Sequence, residues 1–257
     1  MYTSVLEERK KLLGEFHFDT LESMNDLGYL SEQQGQIAKA QSLYEVCLSR
    51  CRETHDSKTL LTVMNNLANL YIGLGKDAEG QALLIECVEK AKQNIEDPGN
   101  RDLVLLTLGH LVEFYARREQ WASSLPMQLE FMEMKKAMLG KDYSEVSHAQ
   151  AIGTLACIYT KLEKYDLAEP LHIEAFEKRR ATLGEDHPLT LESLNGLASF
   201  NFTVGKFALS KTILIECLEK SNKALGPKHP FSKKLKRNLK AFPTGYLLNN
   251  SSHHHIV

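Results

Sequence analysis

The residue types in this chain most able to do chemistry are its five cysteines and ten histidines. The cysteines are Cys47, Cys51, Cys87, Cys157 and Cys217. An odd, scattered set without a Cys-x-x-Cys pair makes a poor disulfide framework and a poor zinc site. Cys47 and Cys51 would share one face of a helix, but two thiols do not complete a four-ligand site. We expect no bound metal, and small core side chains at Cys47, Cys87 and Cys217.

The histidines His17, His187 and His229 lie at one repeated position, and proline follows two of them. We assign them a turn-stabilising role rather than a catalytic one. Three more, His253–His255, stand in a stretch without periodicity, where nothing preorganises them for a metal. The chain also lacks glycine-rich phosphate loops, the His-Glu-x-x-His zinc motif and the Gly-x-Ser-x-Gly nucleophile motif. We expect no enzyme activity, no cofactor and no small-molecule substrate.

Charge and hydropathy indicate the class of protein. The 31 basic and 33 acidic residues nearly balance, and 43% of residues are hydrophobic, which is typical of a globular protein. This balance argues against a surface built for nucleic acid or an anionic membrane. No apolar run approaches the ~20 residues of a membrane span. The first residues carry charges where a signal peptide needs an apolar stretch, so we expect a cytoplasmic protein.

The chain repeats itself along its length. The sixteen residues from Leu13 and the sixteen from Leu183 share ten identities at an offset of 170 residues. A leucine followed by a small residue or valine marks five copies in steps of 40, 44, 44 and 42 residues, at Leu27, Leu67, Leu111, Leu155 and Leu197. Regular copies of this length indicate a repeat architecture.

Within each copy, apolar residues recur at intervals of three and four, which predicts two amphipathic helices and no strand. Glycine breaks separate the two helices in three copies, at Gly35, Gly75 and Gly205. Thirteen residues after each marker leucine stands a small residue, at Ala40, Gly80, Ser124, Ala168 and Ser210. This small-residue column predicts that the two helices approach closely and bury all five positions.

The pattern resembles the tetratricopeptide repeat, and its long period resembles the kinesin light chain subclass. The residues that carry the match are Leu183–Pro188, Leu225–Pro230, Asn65–Ala68 and Ala168–Leu171. The resemblance implies an all-α, right-handed superhelix of helical hairpins. It also implies a non-catalytic scaffold whose first helices line a concave groove for an extended peptide or a partner helix.

The register divides the chain into four kinds of segment. Residues 1–13 form an orphan second helix, 231–242 a basic capping helix and 243–257 a flexible tail. Between them we expect five repeats over residues 14–230, at about 14–53, 54–97, 98–141, 142–183 and 184–228. The orphan helix lacks a hairpin partner and a polar cap, so we expect either self-association through residues 1–13 or a missing upstream segment.

The face of each first helix opposite its packing stripe is the predicted partner-binding surface. Its residues are Asn25, Tyr29, Asn65, Asn69, Glu113, Arg117, Cys157, Lys161, Asn195 and Ser199. In the kinesin light chain subclass, a repeated asparagine in this row holds the backbone of an extended peptide, since an amide both donates and accepts. Asn25, Asn65 and Asn195 keep that residue, whereas Gly109 and Gly153 interrupt it. Alternatively, these asparagines only solvate the groove.

Two other functions stay open. One is a kinesin light chain-like cargo adaptor, although no sustained heptad array for pairing with a motor chain is present. The other is a binder of nucleic acid or an anionic surface through the basic cluster Lys233–Lys240. A solvated cap is the simpler interpretation of that cluster.

Overall fold

The computed structural model describes residues 2–54, 57–139, 145–240 and 242, and these residues form twelve α-helices and no strand. The helices are α1 (Tyr2–Leu13), α2 (Phe18–Gln33), α3 (Ile37–Thr54), α4 (Ser57–Gly73), α5 (Asp77–Lys92), α6 (Pro98–Arg117), α7 (Trp121–Leu139), α8 (Glu145–Lys161), α9 (Tyr165–Leu183), α10 (Pro188–Thr203), α11 (Phe207–Ala224) and α12 (Pro230–Lys240). The predicted all-α class is confirmed. The predicted tail, 243–257, lies outside the described residues.

The helices form two compact units, Met1–Gln120 and Trp121–Val257. In the first unit, α2 packs on α3, α4 on α5, and α5 on α6. In the second unit, α8 packs on α9, α10 on α11, and α11 on α12. The boundary between the units falls between α6 and α7, inside the predicted third repeat. Each unit is thus a stack of helices joined in hairpins.

The small-residue column is buried at all five positions, as predicted. Ser210 lies so close to α10 that its hydroxyl donates to the carbonyl oxygen of Ala198 at 2.6 Å. At Gly80, an added Cβ would lie 2.8 Å from the carbonyl oxygen of Ala68 on α4. Two helix backbones can approach this closely only where the side chain between them is minimal.

Two positions after the end of the first helix of each hairpin stands a residue in the left-handed conformation. Glycine supplies it in three hairpins, with φ of 72° at Gly35, 76° at Gly75 and 80° at Gly205. The other two use glutamate, with φ of 57° at Glu119 and 58° at Glu163. A residue with a Cβ is strained there, whereas glycine is not.

We expect Glu163→Gly to raise the free energy of unfolding by about 1 kcal/mol, because it relieves this strain without removing a buried contact. Urea denaturation followed by circular dichroism measures the change. The reverse substitution, Gly205→Glu, should destabilise by a similar amount. Unchanged midpoints in both variants would show that these turns tolerate either residue.

The repeated histidines cap helices, as predicted. The Nδ1 atoms of His17, His187 and His229 accept hydrogen bonds from the backbone N–H two residues later, at 3.3, 3.2 and 3.2 Å. They thereby satisfy backbone donors at the starts of α2, α10 and α12 that have no partner inside the helix. Because Nδ1 is engaged in the helix cap, we assign the three imidazoles a structural role.

The cysteine column links the two helices of a hairpin. The thiols of Cys47, Cys87 and Cys217 are buried and donate to a carbonyl oxygen of the first helix, at 3.3, 3.4 and 3.3 Å. Burial raises the pKa of Cys87 to about 11 and that of Cys217 to about 12. The thiols of Cys87 and Cys217 therefore stay protonated at neutral pH, as core side chains should.

The N-terminal helix α1 buries only part of its apolar surface. Leu6 packs inside with 2% of its surface exposed, whereas Leu12 is 82% exposed and Leu13 44%. Arg9 fixes α1 to α2 by donating to the carbonyl oxygen of Asp19 and to the Ser23 hydroxyl, both at 2.7 Å. Self-association through residues 1–13 stays a prediction.

Candidate peptide-binding surface

The first helices of unit 1, α2, α4 and α6, lie side by side, because α4 contacts both of the others. We call their outward side the first-helix face of unit 1. Tyr29, half of whose surface is exposed, represents α2 on this face. Glu113 and Arg117 represent α6 and are exposed and joined in an ion pair.

The predicted asparagines join these helices to each other. Asn25 on α2 is buried, and its Oδ1 accepts a hydrogen bond from Nδ2 of Asn66 on α4 at 3.0 Å. Asn65 on α4 is also buried, and its Oδ1 faces α6, where it lies 3.4 Å from the Thr107 hydroxyl and 3.0 Å from Nδ1 of His110. The amide oxygens of two of the three predicted peptide-holding asparagines therefore contact a neighbouring helix.

Asn69 is the asparagine that remains half-buried on the face. Its Nδ2 donates to the backbone oxygen of Asn65 at 2.9 Å and lies 3.0 Å from Nδ1 of His110. The same Nδ1 lies 3.0 Å from Oδ1 of Asn65. Burial lowers the pKa of His110, which keeps its ring neutral at pH 7. In one neutral tautomer Nδ1 accepts from Nδ2 of Asn69, and in the other it donates to Oδ1 of Asn65. Among the described residues nothing donates to Oδ1 of Asn69, so a fixed acceptor is left on the face.

In unit 2, the predicted residues lie on α8 and α10. Cys157 is exposed, yet the protein around it raises the pKa of its thiol, as expected of a side chain in a depression of the surface. Lys161 extends over the ring of Trp121, with Nζ 5.8 Å from the ring centroid. On α10, Ser199 is exposed and its hydroxyl donates to the backbone oxygen of Asn195 at 2.9 Å. The Oδ1 atom of Asn195 is buried without a partner among the described residues.

The sequence interpretation missed two histidines, one in each unit, that contact the predicted first helices or their side chains. His110 positions Asn69, and His172 on α9 lies 3.0 Å from the Thr160 hydroxyl of α8 through Nε2. Thr160 already donates to the carbonyl oxygen of Ala156, so the arrangement is satisfied when Nε2–H donates to it. Neither histidine recurs at its position in the other copies, so the repeat pattern gave no signal for them.

The basic helix α12 has an amphipathic build. Leu235 is fully buried, whereas the five cations are exposed. These are Lys233, Lys234, Lys236, Arg237 and Lys240, and none forms an ion pair within the described residues. Binding of an anionic partner there stays a prediction.

Other kinds of site are not supported by the part of the chain that the structure describes. It contains no group of three or more histidine, cysteine or acidic side chains that could hold a metal ion. Within the same residues, no helix is long and apolar enough to cross a membrane.

The stacked hairpins define a helical repeat protein, an all-α solenoid. The tetratricopeptide repeat profile matches residues 20–58, 60–96, 148–189 and 190–231. These matches cover more than half of the chain, which therefore belongs to the tetratricopeptide repeat family. Repeats of this kind are generally non-catalytic scaffolds for protein interactions. The matched ranges leave out residues 97–147, which include the whole of the predicted third repeat, 98–141.

Solved structures share the fold at low sequence identity. The nearly identical repeats of a Podosopora anserina protein, described as a candidate kinesin light chain, are 21% identical, with a TM-score of 0.67 over 80% of this chain and 97% of that one. BtubC of P. vanneervenii is 17% identical, with a TM-score of 0.65 over 100% of this chain and 94% of that one. The apo form of RapI is 13% identical, with a TM-score of 0.70 over 93% of this chain and 67% of that one. A search of curated proteins found no significant match.

Proposed function

We propose that this chain is a non-catalytic scaffold that binds an extended peptide across the first-helix face of unit 1. The observation that carries the proposal is the fixed amide of Asn69. Its Nδ2 donates to the backbone of α4 and lies beside His110 of α6, and its Oδ1 stays available to accept a backbone N–H. An extended peptide offers such donors along its length, and preorganisation of the acceptor lowers the entropic cost of binding.

The flanking residues fit the same ligand. Tyr29 offers a rigid, exposed ring with a polar tip, which is the side-chain type that peptide-binding surfaces favour. On the other side, the Glu113–Arg117 pair supplies one charge of each sign. The interhelix bonds of Asn25 and Asn65 support the proposal indirectly, because they keep α2, α4 and α6 in register beneath the ligand.

A displayed library of random peptides, selected against the full chain, provides the ligand for the test. We expect Tyr29→Ala and Asn69→Ala each to weaken binding of the selected peptide at least fivefold. That loss corresponds to about 1 kcal/mol for one hydrogen bond or contact. Fluorescence anisotropy measures the affinity, and thermal melts check that both variants stay folded.

Gln93→Ala is the matched control, because Gln93 is an exposed amide at the C-terminal end of the second helix α5. It should leave the affinity unchanged. If the two face variants bind normally and substitutions on second helices abolish binding, the proposed surface is wrong. Asn65→Ala is unsuitable as a binding test, because Asn65 is buried and its loss would loosen α4 from α6.

A further inference from the structure

Helix α1 leaves uncovered the face that other second helices pack on the first helix before them. It packs on α2, the first helix of the following hairpin, and no preceding helix lies among the described residues. Val5 occupies in α1 the position of the cysteine column and is 39% exposed. In four other second helices that position is at most 2% exposed, at Cys47, Cys87, Ala175 and Cys217. Val5, Glu8 and Leu12, at i, i+3 and i+7, define what we call the hairpin face of α1.

The apolar surface of α1 goes beyond what packing within unit 1 requires. Seven residues after the cysteine-column position, α1 carries the exposed Leu12, whereas three other second helices carry exposed Thr54, Thr182 and Ala224. The turn after α1 departs from later copies in the same direction. Phe16 and Phe18 are exposed there, where later turns carry Asp186 or Lys228 and Pro188 or Pro230. Exposed apolar side chains gathered in this way mark an interaction surface.

Helix α12 of unit 2 excludes one way of covering this surface. It is a first helix that packs on α11 and has no second helix after it among the described residues, so α1 of another copy could complete its hairpin. In α10, the side chains facing the second helix are Leu191, Leu194 and Ala198, all buried. The equivalent residues of α12 are Lys233, Lys236 and Lys240, all exposed. Burying three amines against Val5 and Leu12 is costly, so a head-to-tail assembly is disfavoured.

The hairpin face of α1 is instead complementary to itself. Val5 and Leu12 lie about two helical turns apart, near opposite ends of α1. An antiparallel pairing of two copies across a two-fold axis lays each Val5 against the Leu12 of the other copy. Glu8 and Lys11 are exposed and form no ion pair within the described residues. The same pairing brings each Glu8 within reach of the Lys11 of the other copy.

We propose that the hairpin face of α1 binds the same face of a second copy of this chain and closes a two-fold dimer. A single pair of short helices buries less than the ~800 Å² per partner of a typical stable interface, so the dimer dissociates at about micromolar concentrations. The proposal is independent of peptide binding, because α1 carries none of the residues assigned to the first-helix face of unit 1.

Sedimentation velocity of the full chain at about 1 to 200 µM, which brackets that range, measures the association. We expect the mass to rise from 29.1 kDa towards twice that value and to stop there. Leu12→Glu should raise the dissociation constant at least about a hundredfold, because the symmetry axis applies the change at two contacts. Leu12 is 82% exposed, so this variant should melt like the unsubstituted chain.

Leu209→Glu is the matched control, because it places the same charge at an exposed leucine of the second helix α11. It should dimerise like the unsubstituted chain. Exchanging the charges tests the orientation: Glu8→Lys or Lys11→Glu alone should weaken the dimer at least about threefold, and the two together should restore it.

Three results would overturn the proposal. They are a monomer at every concentration, equal loss of the dimer in Leu209→Glu and Leu12→Glu, and a mass that grows beyond two copies, as a head-to-tail assembly would give. Because no peptide takes part in these measurements, a failure of library selection on unit 1 would overturn the scaffold function without altering them.

Discussion

We expect Gly80→Ala to destabilise the protein by about 1–3 kcal/mol, the usual cost of overpacking. The new Cβ would lie 2.6 Å from Cγ1 of Ile72 and 2.8 Å from the carbonyl oxygen of Ala68. The Ile72 side chain can rotate, but the carbonyl belongs to the backbone of α4, so the two helices must move apart. This cost opposes the gain of about 1 kcal/mol that alanine normally brings to a helix.

Gly109→Ala is the control, because it makes the same substitution in the interior of α6 with no atom within 4 Å of the added Cβ. It should stabilise by about 0.5–1 kcal/mol through helix propensity alone. If the small-residue column is required by the close approach of the helices, urea denaturation should show a lower free energy of unfolding for Gly80→Ala and a higher one for Gly109→Ala. If both variants are more stable than the unsubstituted chain, then α4 and α5 can accommodate the added methyl group and the prediction is wrong.

The second large effect concerns pH and His172. Burial lowers the pKa of this imidazole to about 4 from its ordinary 6.5. Above pH 6.5 the ring is neutral in both the folded and the unfolded chain and contributes nothing. As the pH falls below 6.5, His172 becomes protonated in the unfolded chain but stays neutral in the folded chain. The free energy of unfolding therefore falls until about pH 4. At pH 5 the loss from this residue is about 2 kcal/mol.

His172→Gln tests this pH dependence, because glutamine cannot titrate and can still donate to Thr160. Urea denaturation at several values between pH 7.5 and pH 5 gives the free energy of unfolding of both proteins. The variant should lose less stability than the unsubstituted chain over that range, by about 2 kcal/mol at pH 5. Parallel pH profiles would mean that His172 gains a proton without strain.

Periodicity allowed the hairpins to be predicted. Each helix must bury an apolar stripe, and the close helix crossing admits only small residues such as Ala40 and Ser210. The spacing of these residues in the sequence therefore indicates how the helices pack. The turns could be predicted only where glycine marks them. Glu119 and Glu163 adopt the same left-handed conformation, although their side chains do not favour it. There the tertiary contacts of the hairpin override local preference.

The candidate site was less accessible to sequence reasoning. Helical spacing places Asn25 and Asn65 in one row with Asn69, but it cannot say whether an amide faces a neighbouring helix or solvent. That distinction depends on pairs about forty residues apart, such as Asn25 with Asn66 and Asn69 with His110. The edge-to-face contact between the rings of Phe242 and Phe202 likewise joins two residues whose positions the repeat pattern does not connect.

The buried thiols have a consequence for measuring how each part of the chain opens. A thiol reagent reaches a shielded cysteine only when the helices around it separate, so its labelling rate reports local opening, much as amide hydrogen exchange does. Cys47, Cys87 and Cys217 each lie under a different first helix, bonded to the carbonyl oxygens of Leu21, Leu61 and Leu191. Mass spectrometry of pulse-labelled peptides would thus give separate opening free energies for the hairpins α2–α3, α4–α5 and α10–α11 without any engineered label. Exposed Cys157 would mark the fast limit in the same sample.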